Sequence, residues 1–127
     1  MIDAIFSQPN YLAAKKLLDV NALRQEAIAS NLANLETPNY KRLDVGPAFE
    51  SQLRQAVASG SPASIASIQP TLTQDSSAVS SRRDGNSVDL ESELMHLNQN
   101  VVEHSLETQL VTGSLLKLRM AITGRAV

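Results

Sequence analysis

From Leu90 to Ile122 apolar side chains recur in alternating steps of four and three residues, at Leu90, Leu94, Leu97, Val101, His104, Thr108, Val111, Leu115, Leu118 and Ile122. Eight of these ten positions are apolar and the residues between them are mostly polar, the pattern of a coiled-coil seam beside a solvated face. No proline interrupts the run. The spacing predicts a helix over about residues 89–123, roughly 50 Å long at 1.5 Å per residue. Ser87 or Asp89 is placed to cap it, Asp89, Glu91 and Glu93 suit its N-terminal dipole, and Gly124 is a stop.

A second amphipathic helix is predicted over about residues 10–35. Ala13, Leu17, Val20, Ala27 and Ile28 share one arc, flanked by Leu23 and Leu32. Pro9 and Asn10 fit its start, with Asn10 as a candidate cap. Its end is set by Thr37-Pro38-Asn39-Tyr40, because Pro38 cannot continue a helix and Asn39 tolerates a positive φ.

Between the two helices the pattern fades. A short helix is expected around residues 47–57, carrying Phe49 and Leu53. A Ser-, Ala-, Thr- and Gln-rich stretch follows, in which Ile65, Ile68, Leu72 and Val79 show no period and Pro62 and Pro70 break helices; it reads as a mobile connector. The expected fold is therefore all-α, with elongated N- and C-terminal helices packed as a coiled-coil-like hairpin across a largely irregular Ser/Ala-rich connector. The segments are 1–40 (helix and turn), 41–87 (connector) and 88–127 (long helix), the two helices forming one domain.

Aromatic residues make up 3% of the chain and tryptophan is absent, so the core must be aliphatic and thin. The net charge is −2 with both signs interspersed, which offers no footprint for nucleic acid or an anionic membrane. Without cysteine, disulfides and thiolate chemistry are excluded. The opening MIDAIFSQPN has neither a basic n-region nor a long apolar run, so neither a cleaved signal peptide nor direct membrane insertion is expected.

The search for chemistry returns little. His96 and His104, the only histidines, lie about 12 Å apart along a helix and cannot share a metal ion; His104, on the seam, reads as a polar register marker. Glu91, Glu93, Glu103 and Glu107 read as a solvated helical face. No phosphate loop and no nucleophile paired with a base is visible, so no catalytic residue, metal or cofactor is expected. Asn31 is different, because it projects from the middle of an apolar arc, where an unpartnered amide loses roughly 1–3 kcal/mol. Asn34 follows one turn later.

The run Ser30-Asn31-Leu32-Ala33-Asn34-Leu35-Glu36-Thr37-Pro38-Asn39-Tyr40 resembles the S-N-x-A-N-x-x-T-P-x-Y signature of bacterial flagellar axial proteins, the rod, hook and hook-associated group. Asp84-Gly85-Asn86-Ser87-Val88-Asp89-Leu90, then Glu93 and Asn100, and the Ile122-Thr123-Gly124-Arg125 ending, are similar to the proximal-rod members of that group. Asn39 stands where the family usually has glycine, and His104 where tyrosine is common. The resemblance covers about residues 10–50 and 84–125. It implies a structural subunit exported by the flagellar type III apparatus and assembled in the periplasm at the base of the rod. The implied partners are its own copies, other rod proteins, and the MS-ring and export-gate proteins. A helical chaperone or adaptor is the alternative, and a small hydrolase is a distant third.

The residues independently demand partners. Burying eight apolar seam residues is worth on the order of 12–24 kcal/mol, and the N-terminal helix, about ten residues shorter, covers only part of the seam. Subunit contacts are therefore expected at Leu94, Leu97, Val101, His104, Val111, Leu115, Leu118 and Ile122. Further contacts are expected at Asn31 and Asn34, whose amides would bond to a neighbouring helix, and at Thr37, Pro38 and Tyr40 of the turn.

Overall fold

Pro9 opens the first long helix, α1 (Pro9–Ala33); its fixed φ suits the first turn, where its missing N–H has no partner to lose. The structure is a computed structural model and describes residue 4, residues 6–80 and residues 82–125. Residues 1–3, 5, 81, 126 and 127, which belong to the expected segments, lie outside the described residues. Asn10 does not cap α1: Gln8 holds the cap position, without a side-chain bond.

Asn39 has φ 60°, and its N–H donates to Asp84 O at 2.8 Å, so the turn after α1 is tied to the Asp84-Gly85-Asn86 turn. Strand β1 (Leu43–Val45) follows, then α2 (Ala48–Ser59), stopped by Gly60 at φ 66°. Helix α3 (Pro62–Ala66) is capped by Ser61, and strand β2 (Leu72–Gln74) pairs antiparallel with β1, with Leu43 opposite Gln74 and Val45 opposite Leu72. The last helix, α4 (Leu90–Thr123), is capped by Asp89, whose carboxylate accepts from Ser92 N at 2.9 Å. Ser87 serves elsewhere: its Oγ accepts from Arg42 N at 2.9 Å. Gly124, at φ 64°, ends α4.

The fold is thus mostly helical with a long C-terminal helix, but it is not all-α, because β1 and β2 form a two-stranded sheet. Strands of three residues are too short to display an alternation in sequence. The connector also departs from the expected irregular segment. Ile65, fully buried, and Ile68 join Val20, Phe49, Leu53 and Ala56 in the apolar core, with Leu12, Ala13 and Leu17 packed against it. Ile65 and Ile68 are single anchors from short segments, which is burial without periodicity.

The two long helices run in opposite directions. Asn31 near the end of α1 bonds to Glu93 near the start of α4, while Asn21 bonds to Asn100 further along. The residues of α4 buried against this surface are Glu93, Asn100 and Glu107, a row repeating every seven residues. The apolar seam is therefore only partly inward, with Leu97, Val111 and Leu118 half-buried and Leu94, Val101, Leu115 and Ile122 exposed. Polar side chains turn inward here because α1 and β1 supply partners for them, and the seam residues rotate to the flanks.

Candidate subunit interface

Arg42, placed by the strand that follows the turn, is almost fully buried and gathers three carboxylates from three elements. Its Nε donates to Glu93 Oε1, and its guanidinium reaches Asp44 Oδ2 at 2.8 Å and Asp75 Oδ2 at 2.7 Å. Burial alone would lower the pKa of this guanidinium, but its bonds to Asp44 and Glu93 and their charges outweigh that and hold it above its ordinary value. Burial likewise pushes the Asp75 carboxyl up, yet the hydroxyl and amide of Ser77 and the Arg42 guanidinium bring it below the usual range. One cation thus pins β1, the residue following β2, and α4 together.

Asn31 completes this cluster. Its Oδ1 accepts from Leu43 N at 2.8 Å, and its Nδ2 donates to Leu43 O at 2.9 Å and to Glu93 Oε2 at 3.3 Å. Tyr40 OH lies 2.9 Å from Ser30 Oγ and donates to Asn31 Oδ1 at 3.4 Å. Asn34 Nδ2 donates back to Ser30 O at 2.9 Å, and its Oδ1 accepts from Thr37 Oγ1 at 3.1 Å. The opened end of α1 is then closed from across the chain: buried Asn86 donates to the carbonyls of Asn34 at 2.9 Å, Leu35 at 3.0 Å and Thr37 at 2.8 Å, and Arg82 reaches Leu35 O at 2.7 Å. These donors tie the carbonyls of the turn that follows α1 to the segment around Asn86.

The expectation that Asn31 bonds to a neighbouring subunit is corrected accordingly. Its amide is buried and satisfied within its own chain, because α1 ends where β1 can pair with it like a strand neighbour. Asn34 and Tyr40 also have intrachain partners. Only Thr37 and Pro38 of the expected turn contacts are exposed. Glu93 and Glu107, read as solvated, are buried; His104 is exposed. Arg42, Asp44, Asp75 and Asn21 were not singled out by sequence; Asn86 was, but only within the Asp84-Gly85-Asn86-Ser87-Val88-Asp89-Leu90 run. The one available signal was the seven-residue spacing of Glu93, Asn100 and Glu107.

The surface of α4 carries the opposite surprise. Of the thirteen large hydrophobic residues exposed among the described residues, eleven lie on α4. Leu94, Val101, Leu115 and Ile122 of the expected seam are among them, whereas Leu97, Val111 and Leu118 are half-buried against the chain. Met95, Val102, Leu116 and Met120 form a further row on the side away from α1, with Val102 68% exposed. Toward its end α4 meets Phe6 and Tyr11, whose rings stack edge-on with centroids 5.5 Å apart beside Leu115 and Leu118.

Between α1, α2 and α4 lies a groove of about 440 Å³, floored by Leu17, Val20, Phe49 and Leu53 and edged by Glu103 and Glu107. Arg24 bonds to Glu103 at 3.1 Å. Glu107 Oε2, by contrast, is buried without a hydrogen-bond partner. Burial, and then the charge of Glu103, push the Glu107 carboxyl above its ordinary range, against the pull of His104 and Arg24. Among the described residues no group of three or more His, Cys, Asp or Glu is placed to hold a metal, and no helix is long and apolar enough to cross a membrane.

A polar-locked helical pair with uncovered apolar flanks defines a structural subunit that packs against others. The family model described as Flagella basal body rod protein matches residues 18–41, the stretch ending in the turn just described. The flagellar basal body rod protein FlgB of Borrelia hermsii is 32% identical over 115 residues, covering 76% of this chain and 83% of that protein. FlgB of Escherichia coli K12 is 26% identical, covering 80% and 83%, and FlgB of Bacillus subtilis strain 168 is 25% identical, covering 80% and 84%. The chain belongs to the FlgB family of flagellar basal body rod proteins and is a structural subunit of that rod.

Proposed function

We propose that this subunit builds the proximal segment of the rod, transmits torque through packed helices and links the MS-ring and export-gate region to the next rod proteins. It reaches the periplasm through the flagellar type III apparatus. The carrying observation is the eleven exposed hydrophobic residues of α4. Covering a half-exposed side chain of this size is worth about 1 kcal/mol, so a neighbour laid along α4 gains on the order of 10 kcal/mol before the costs of association. Leu94, Val101, Leu115 and Ile122 then serve as contacts from the flanks, with Thr37 and Pro38 at the turn. Leu97, Val111 and Leu118 back them from inside the pair. A chaperone or adaptor gains no specific support from the geometry.

The test is Val102→Asp, which places a charge in the outer apolar row, beside the control Val79→Asp, which alters a still more exposed valine on the connector. Val102→Asp is expected to abolish rod assembly and swimming with secretion intact, and Val79→Asp to leave all three unchanged. Normal swimming by the Val102→Asp strain at ordinary expression would overturn the reading.

A further inference from the structure

The buried residues of α4 form a row at seven-residue spacing, Glu93, Asn100 and Glu107, and the first two are answered from the elements they face. Glu93 accepts from Arg42 and, at 3.3 Å, from Asn31. Asn100 donates to Asn21 O at 3.2 Å and to Gln25 Oε1 at 2.9 Å. Glu107 breaks the series, because its Oε2 is buried with no hydrogen-bond partner among the described residues. A buried charge without a partner is costly.

The charged groups around Glu107 are few. Arg24 of α1 and Glu50 and Arg54 of α2 line the same groove, with Glu103 and His104 on its own helix. Arg24 is already engaged, by Glu103 at 3.1 Å and by Asp44 at 3.6 Å. Arg54 is the cation left over: it is exposed and takes part in no ion pair among the described residues. Its guanidinium stays charged and sits on a long, flexible stem. Between Arg54 and Glu107 the lining is apolar, with Leu17, Phe49, Leu53 and Val57. Such a surface accepts the methylenes of an arginine while its head reaches a polar group.

We infer that Arg54 turns into the groove and donates to Glu107, a latch that joins α2 to α4 and lids the apolar floor. Helix α2 otherwise packs on α1 and α3, so the latch ties the connector to the long helix. It also completes the polar row, carrying the lock on α4 from Asn100 to Glu107. Any other occupant of the groove must first displace Arg54. The inference stands on the groove alone and does not depend on the rod reading.

NMR of the side-chain carboxyl carbons in the full chain, followed through an acid titration, tests it together with urea unfolding. Arg54→Gln, an exposed change that spares the fold, is expected to raise the Glu107 titration midpoint, because the cation that favours its charged form is gone. At neutral pH it is expected to lower the folding equilibrium constant on the order of tenfold, the size of one hydrogen bond to a charged group. Arg54→Lys keeps the charge and is expected to preserve most of both effects. In the Glu107→Gln background Arg54→Gln is expected to be nearly neutral. The same Glu107 midpoint in the unaltered chain and in Arg54→Gln would overturn the inference. So would an equal cost of Arg54→Gln in both backgrounds, which would assign Arg54 to Glu50 or Glu103 instead.

Discussion

Asn21 and Asn100 each donate a side-chain amide to the other's backbone carbonyl, at 3.0 and 3.2 Å, across the pair of long helices. The acceptors belong to the main chain, so replacing one asparagine leaves the other's bond in place, but Asn100 also donates to Gln25 Oε1 at 2.9 Å. Asn21→Ala is expected to cost about 1 kcal/mol and Asn100→Ala about twice that, and their costs to add within about 0.5 kcal/mol. Urea unfolding of the two single variants and the double variant checks this. A large coupling energy would mean that the pair acts as one unit.

Arg42 and Glu93 are expected to behave otherwise. Arg42→Ala strands Glu93, which is wholly buried, and is expected to cost about 3–5 kcal/mol, a large share of a stability of roughly 5–15 kcal/mol. Glu93→Gln costs less, because Arg42 keeps Asp44 and Asp75. In the Glu93→Gln background the cost of Arg42→Ala falls. Equal costs in both backgrounds would show that the guanidinium is held by the aspartates alone.

Asp75 gives the cluster a pH signature. Its folded carboxyl titrates below its unfolded value, so the stability it contributes is present above the unfolded pKa of about 3.9 and is lost as pH falls through the folded one. Asp75→Asn is expected to lower stability at pH 7 and to flatten the acid limb. Urea midpoints at pH 7, 4 and 3 measure both effects; a variant with an unchanged slope below pH 4 would assign the acid limb to other carboxylates.

Much of this was legible in the sequence and some was not, for identifiable reasons. Helix limits near residues 9 and 124 follow from Pro9, Asp89 and Gly124, whose effects are local. Asn31 drew notice because an amide on an apolar arc is a local contradiction, but its partner Leu43 N belongs to a strand too short to leave a pattern. Glu93 was misread because nothing local distinguishes a carboxylate facing water from one facing Arg42. The inward face of α4 is only partly its apolar seam for the same reason: the apolar period marks surfaces that need covering, and does not say whether the cover is α1 or another molecule.

Asn39 and Gly85 form a close pair at the joint between the two turns. A Cβ built on Gly85 would sit 2.6 Å from Asn39 Oδ1, and Gly85 has φ 75°. Gly85→Ala is therefore expected to cost about 1–2 kcal/mol for the left-handed backbone plus the displacement of the Asn39 side chain. Asn39→Gly, at φ 60°, meets the same backbone demand without strain and clears the space, so Gly85→Ala should cost less in that background. Thermal unfolding of the four proteins measures the cycle, and an undiminished cost would leave backbone strain as the whole effect.

The distal half of α4 supplies the last prediction. Its first half is locked by Glu93 and Asn100 to α1 and β1, whereas Leu106, Leu110, Leu115, Leu116, Met120 and Ile122 are all exposed beyond it. Local opening free energy follows buried contacts, and an isolated helical end gains little from propensity alone. Amide exchange in the unassembled chain is therefore expected to be slow over residues 93–104 and faster by orders of magnitude over residues 112–123. Assembly should slow exchange in the second stretch, because a neighbour supplies the packing that the monomer lacks. Uniform protection along α4 in a confirmed monomer would show that Phe6 and Tyr11 suffice to hold the distal turns, and would remove the need for a neighbour there.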